Sequence, residues 1–110
     1  MKLPLKSSTK IEPRDGCVAN ALEILGNKWT ALIIRDLTSG SKRFCEFERS
    51  LKGISPRTLS QRLDDLTCAG VVTKQSFAEV PPRVEYTLTD KGRDLIPILK
   101  QMAAWGTKYS

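Results

Sequence analysis

The stretch 53-GISPRTLSQRLDDLTCAG-70 makes two opposite demands. Leu59, Leu63 and Leu66 recur at i, i+4 and i+7, the spacing of a helical stripe that seeks burial. Ser55 stands ahead of Pro56, which suits an N-cap followed by proline at the first helical position, where a missing N–H costs nothing. Ala69-Gly70 closes the segment. The spacing predicts a helix over 55–68. On a helical wheel Arg57, Gln61 and Cys68 fall nearly opposite the leucines, flanked by Thr58, Ser60, Arg62 and Asp64. The N-terminal half therefore presents Ser55, Arg57, Thr58, Ser60, Gln61 and Arg62, and those polar groups need something to touch.

The neighbouring segments say what kind of fold holds this helix. Phe44 to Leu51 reads as a short amphipathic helix with Phe44, Phe47 and Leu51 on one side, and Lys52-Gly53 as the turn after it. Asn27 to Thr38 reads as a core helix rich in apolar residues (Trp29, Leu32, Ile33, Leu37), ended by Ser39-Gly40. Val18, Ala21, Leu22 and Leu25 mark a first helix, punctuated by Gly26-Asn27. On the other side, Val71 to about Phe77 is β-rich, Ala78 to Pro82 is a turn, and Arg83 to Leu88 alternates with strand period, so the two runs make a β-hairpin. Thr89 caps a further helix that Pro97 breaks or kinks, and a last helix is expected over about 97–108. Residues 1–15, with Lys2, Lys6, Lys10 and Arg14 against Glu12 and Asp15, and with Pro4 and Pro13, read as a flexible basic arm. Residues 16–110 read as one domain.

Two helices across a tight turn form a helix-turn-helix, and a hairpin directly after it is a wing. The expected class is α+β, a mostly helical winged helix-turn-helix. Its second helix carries side chains suited to a major groove. Arginine pairs with guanine O6 and N7, and glutamine with adenine N6 and N7. Hydroxyls and a helix N-terminus hold phosphates. Asp64 and Asp65 come only after the first turns, so acid is kept from the DNA backbone. The alternative for this face is a solvated polar surface.

The totals narrow the classes. The chain has 110 residues and a formal net charge of +6. That is one small core, of a size often stabilised by pairing with a second copy, and a charge suited to a polyanion. No run approaches the roughly 18 apolar residues of a membrane span. The first residues lack the apolar centre of a secretory signal, so a cytoplasmic protein is expected. There is no histidine, no GxSxG, HExxH or P-loop, and no Gly-rich dinucleotide loop, which argues against an enzyme and against a cofactor. Three cysteines without CxxC argue against a disulfide framework and a zinc site. The rival to DNA binding is a winged helix used for protein–protein contact, which would show exposed apolar or acidic residues at the start of the 55–68 helix. Ile98, Met102, Trp105 and Tyr109 form an apolar stripe on a terminal helix with little chain left to cover it. Such a stripe seeks a second copy or the chain's own core.

Three segments, "ALEILGNKWTALIIRDLTSGSKRFCEF", "GISPRTLSQRLDDLTCAGVV" and "EVPPRVEYTLTDKGRDLIPIL", followed by "AAWG", carry a resemblance over about residues 16–106. The chain resembles the HxlR family of winged helix-turn-helix transcription regulators, relatives of the MarR group. The resemblance implies a homodimer on a short inverted-repeat operator, with N- and C-terminal dimerisation helices. In this sequence those are the segments of Val18, Ala21, Leu22 and Leu25 and of Ile98, Met102, Trp105 and Tyr109. A dimer would set its two recognition helices, one over 55–68 in each copy, about one DNA turn apart, roughly 34–36 Å. It also implies base reading by Arg57, Thr58, Gln61 and Arg62 and a wing in or beside the minor groove. Arg83 either reaches in there or braces the turn, with Lys74 as another candidate for the contact. Lys42 and Arg43 either hold phosphates at the edge of the helix-turn-helix or are solvated.

Cys17 occupies the place where many members of that family carry a cysteine that senses oxidants or electrophiles. A thiol in the first turn of a helix feels the positive end of the dipole, which favours the thiolate. The family pattern is Cys-Pro and here it is Cys17-Val18, so the other reading is a small half-buried hydrophobe. Cys45, beside Phe44, reads as core or partly buried packing, and Cys68 as exposed.

Overall fold

The computed structural model describes residues 17–110; the expected basic arm over 1–15 lies outside them. The described residues form α1 (Cys17–Leu25), α2 (Lys28–Leu37), β1 (Lys42–Arg43), α3 (Phe44–Ser50), α4 (Pro56–Cys68), β2 (Val72–Phe77), β3 (Arg83–Leu88), α5 (Asp90–Arg93) and α6 (Ile96–Lys108). The strands make one antiparallel sheet in the order β1-β3-β2. In the hairpin, Val72 pairs with Leu88 and Phe77 with Arg83. The architecture is the winged helix-turn-helix that the sequence predicts, with one addition, the third strand β1; the helix expected after Thr89 is the short α5.

Three of the helices, α2, α4 and α5, start where the sequence supplies a capping side chain. Asn27 Oδ1 accepts from the Trp29 N–H at 2.8 Å and opens α2. Ser55 Oγ accepts from the Thr58 N–H at 3.1 Å and opens α4, with Pro56 at its start. Thr89 Oγ1 accepts from the Gly92 N–H at 3.1 Å and opens α5. Each cap satisfies an N–H that has no partner within the first turn. Gly53, at φ +91°, lies in the turn between α3 and α4, a conformation that side chains with a Cβ rarely adopt. Pro97 does not break a helix. The break falls at Asp94 and Leu95, and Pro97 sits in the first turn of α6, where its lack of an N–H removes no bond.

α2 is the centre of the core. Its Ile33, Ile34 and Leu37 are buried with Phe47 and Leu51 near α3, with Leu59, Leu63 and Leu66 of α4, and with Val71, Val72, Tyr86 and Leu88 of the wing base. α2 touches α1, α3, α4, α6 and β3. Its buried Thr30 hydroxyl is not orphaned, since it donates to the Ile24 carbonyl and lies 3.0 Å from that of Asn27. Cys45 departs from the expectation of core or partly buried packing: it is exposed. It stands two residues from the fully buried Phe47, more than half a turn round α3, so burying one turns the other to solvent.

α5 fastens the wing to the end of α4. Lys91 Nζ donates to the Ala69 carbonyl at 2.7 Å, supplying a cation to the last turn of α4. Arg93 Nη1 donates to the Leu88 carbonyl at 3.0 Å, and the Thr89 N–H to that of Val71 at 3.0 Å.

Two outcomes test this packing. Ser55→Ala should lower the free energy of unfolding by about 0.5–2 kcal/mol in urea titrations, because it leaves the Thr58 N–H without its acceptor. Burial, and after it the carboxylate of Asp64, push the Tyr86 hydroxyl above its ordinary pKa. The neutral phenol is therefore favoured in the folded chain. Its stabilisation is present below about pH 10, the ordinary tyrosine range, and is lost as pH rises through the folded-state value. Unfolding free energies measured between pH 8 and 11 should fall more steeply for the wild-type protein than for Tyr86→Phe; parallel curves would refute the assignment.

Candidate nucleic-acid interface

The burial of Leu59, Leu63 and Leu66, each at most 1% exposed, fixes the rotation of α4 and turns its opposite face outward. Arg57, Ser60 and Gln61 are exposed there, with Thr58 and Arg62 half-buried beside them. Ser55 is also exposed, but its hydroxyl is engaged. It accepts from the Thr58 N–H and donates to Thr58 Oγ1 at 2.9 Å, which leaves the Thr58 hydroxyl its own proton to donate. Arg57 enters no ion pair among the described residues, so its guanidinium is the least encumbered charge on this face.

Two contacts on α4 went unread in the sequence. Gln61 Nε2 donates to Asp65 Oδ1 at 2.9 Å, and Arg62 Nη2 lies 3.5 Å from Asp65 Oδ2. The signal was present as i,i+4 and i,i+3 spacing, which brings side chains together on a helix surface. Asp65 is thus in contact with two residues of the outward face, Gln61 and Arg62.

Lys42 and Arg43 form β1 and pair with Tyr86 and Glu85 of β3, which sets them at the start of α3. Lys42 is half-buried, with Nζ donating to Ser39 Oγ at 3.0 Å. Arg43 is exposed, and its N–H donates to Glu46 Oε1 at 2.7 Å, which closes the first turn of α3. Arg83 is engaged within the wing. Its guanidinium lies 3.1 Å from Glu79, 3.2 Å from Glu85 and 4.1 Å from the centre of the Phe77 ring. This is the bracing geometry, with a cation over an aromatic face as one of its parts. Lys74 on β2 is exposed, and Val80 at the wing tip is fully so.

The terminal helices leave an apolar face uncovered. On α6, Ile98, Met102, Trp105 and Tyr109 are 44–68% exposed, and on α1 Val18 and Leu22 are about half exposed. The Trp105 and Tyr109 rings touch, with centroids 5.1 Å apart. Ala21 is half-buried, and Leu25 belongs to the chain's own core. A cleft of about 320 Å³ between α2 and α6, lined by Ala31, Leu32, Arg35, Leu99, Met102 and Ala103, continues this face. Cys17 begins α1, but its side chain lies outside what the structure describes. Cys68 is exposed at the end of α4. No helix among the described residues is long and apolar enough to cross a membrane.

Comparison with known proteins gives this geometry a lineage. The family described as HxlR-like helix-turn-helix matches residues 24–110. The uncharacterized HTH-type transcriptional regulator YvaP of Bacillus subtilis is 46% identical over 89 residues, which are 81% of this chain and 82% of YvaP. Among solved structures, the redox regulator HypR in its oxidized form superposes with a TM-score of 0.81 at 39% identity, over 84% of this chain and 96% of that one. The reduced form of the transcriptional regulator YodB from B. subtilis superposes with a TM-score of 0.77 at 35% identity, over 91% and 95%. The matches run through α2, the helix-turn-helix and the wing, and the chain belongs to the HxlR-like helix-turn-helix family of transcriptional regulators.

Proposed function

We propose that the protein is a sequence-specific regulator that binds double-stranded DNA as a homodimer on an inverted-repeat operator. The observation that carries this reading is the outward face of α4: basic and neutral polar side chains, uncovered on its N-terminal half, above a stripe of fully buried leucines. A helix presented this way enters a major groove by its first turns. Arg57, Thr58, Gln61 and Arg62 read base edges, Ser60 and the capped N-terminus at Ser55 approach phosphates, and Lys42 and Arg43 hold the backbone beside α3. In the wing, Lys74 supplies the contact and Arg83 orders the tip. A protein-binding winged helix would expose apolar residues at the start of α4, and apart from Pro56 this one exposes none there.

The second copy covers the apolar face of α1 and α6. Val18, Leu22, Ile98, Met102, Trp105 and Tyr109 are a large set of exposed apolar side chains for a small protein. Cys17, in the first turn of α1 and one residue from Val18, stands at the edge of that seam. The structural kinship with redox regulators supports an oxidant or electrophile as the signal. Oxidation of Cys17 would change the spacing of the two α4 helices.

The test is binding to the promoter DNA next to the protein's own gene, at two salt concentrations, before and after diamide and again after dithiothreitol. Specific, salt-sensitive binding is expected, reversed by oxidant in the wild-type protein and indifferent to it in Cys17→Ser. Arg57→Ala and Gln61→Ala should each weaken operator binding by about 1–3 kcal/mol and leave the dimer intact in sedimentation. Specific binding that ignores the oxidant would move the signal to a ligand or to expression level, and an absence of specific binding would favour the protein-contact reading.

A further inference from the structure

We propose that Asp65 is a positioning residue for base recognition, which sets the polarity of the Gln61 amide and restrains the charge of Arg62. The inference rests on the reading of α4 as the helix that enters the groove. Asp65 is the common acceptor of two side chains on that face: Gln61 Nε2 at 2.9 Å on one carboxylate oxygen, and Arg62 Nη2 at 3.5 Å on the other.

A glutamine amide is two-faced. Free in solvent it turns either way, and its NH₂ group alone offers two donors that satisfy the paired acceptors of guanine, N7 and O6. Beside a carboxylate it has one orientation, because the reverse would set its oxygen against the oxygen of Asp65. One of the two N–H donors is then committed to Asp65. What remains for the DNA is one donor and the carbonyl acceptor, the pair that complements adenine N7 and N6–H. Guanine, with two acceptors, meets a single donor and an opposing oxygen. Asp65 thus converts an ambiguous side chain into one that selects adenine and rejects guanine.

The same carboxylate lies against Arg62, whose side chain is 27% exposed, while Asp65 is 47% exposed. A negative charge there lowers the sequence-independent attraction of this face to phosphate, which is where non-specific affinity comes from. Both effects raise the ratio of specific to non-specific binding without Asp65 touching a base.

The experiment is selection from a pool of randomised duplexes with four proteins: wild type, Gln61→Ala, Asp65→Asn and Asp65→Glu. Gln61→Ala identifies the base-pair column that Gln61 reads, as the one column that loses its preference. In Asp65→Asn the adenine-to-guanine ratio in that column should fall about tenfold, the size of one base-directed contact, because asparagine accepts either orientation of the amide. Affinity for an unrelated duplex should rise severalfold at the same salt. Asp65→Glu keeps the carboxylate and should restore both. An unchanged column in Asp65→Asn, or a loss in Asp65→Glu equal to that in Asp65→Asn, would overturn the inference and leave the DNA reading standing. No enriched sequence with the wild-type protein would overturn the DNA reading and Asp65's role with it.

Discussion

The contact between the leucine stripe of α4 and the apolar side of α2 governs the rest of the molecule. Leu59, Leu63 and Leu66 have almost no exposure, and neither do Ile33 and Ile34. Truncating one such leucine to alanine costs about 2–5 kcal/mol, a large share of the 5–15 kcal/mol that holds a small protein folded. Because that burial also sets the rotation of α4, the choice of which side chains face outward was made in the core. Arg57, Ser60 and Gln61 face outward because Leu59, Leu63 and Leu66 cannot.

A second set of contacts carries this order from the helix to the wing. Ala69 and Gly70 end α4, and Lys91 of α5 caps the Ala69 carbonyl. Arg93 and Thr89 bond the carbonyls at the two strand roots, Leu88 and Val71. β1 adds its two residues to the outer edge of β3. The hairpin is therefore anchored at the helix end through α5 and at the sheet edge through β1, so that α4 and the strand roots hold one geometry.

The sequence was most legible where one physical demand acted alone. The bounds of α4 follow from Ser55, Pro56, three leucines and Gly70, all local. The strands Val72–Phe77 and Arg83–Leu88 follow from composition and alternation around a proline turn. β1 was not legible, because two residues are too few for any periodicity and Lys42-Arg43 become a strand only through β3, some forty positions away. α5 was half legible: Thr89 announced its start, but its end was assigned to Pro97, which belongs to the next helix. At the candidate site, the outward residues of α4 followed from the wheel, yet a wheel shows directions and not partners. It placed Gln61 and Arg62 on the outward side without revealing that the Asp65 carboxylate takes both. For Arg83 the sequence offered two readings, and only the positions of Phe77, Glu79 and Glu85 around it show the brace.

That brace also shapes how the molecule meets a polyanion at a distance. Between Phe77 and Glu85 the wing carries two acids against one arginine, and that arginine is already matched. Among the described residues, the cations without an acid in contact include Arg57 at the start of α4, Lys42 and Arg43 at the start of α3, and Lys74 on β2 below the tip. Unpaired charge at the starts of α3 and α4, against a tip whose arginine is matched, makes the described surface uneven, and an external field exerts a torque on such a distribution. On the proposed reading, a highly charged rod such as DNA would turn the approaching molecule before they touch, with the α4 end leading and the tip between Phe77 and Glu85 trailing. The wing would then close onto a helix already seated, which makes the order of contacts a property of where charge is left unpaired.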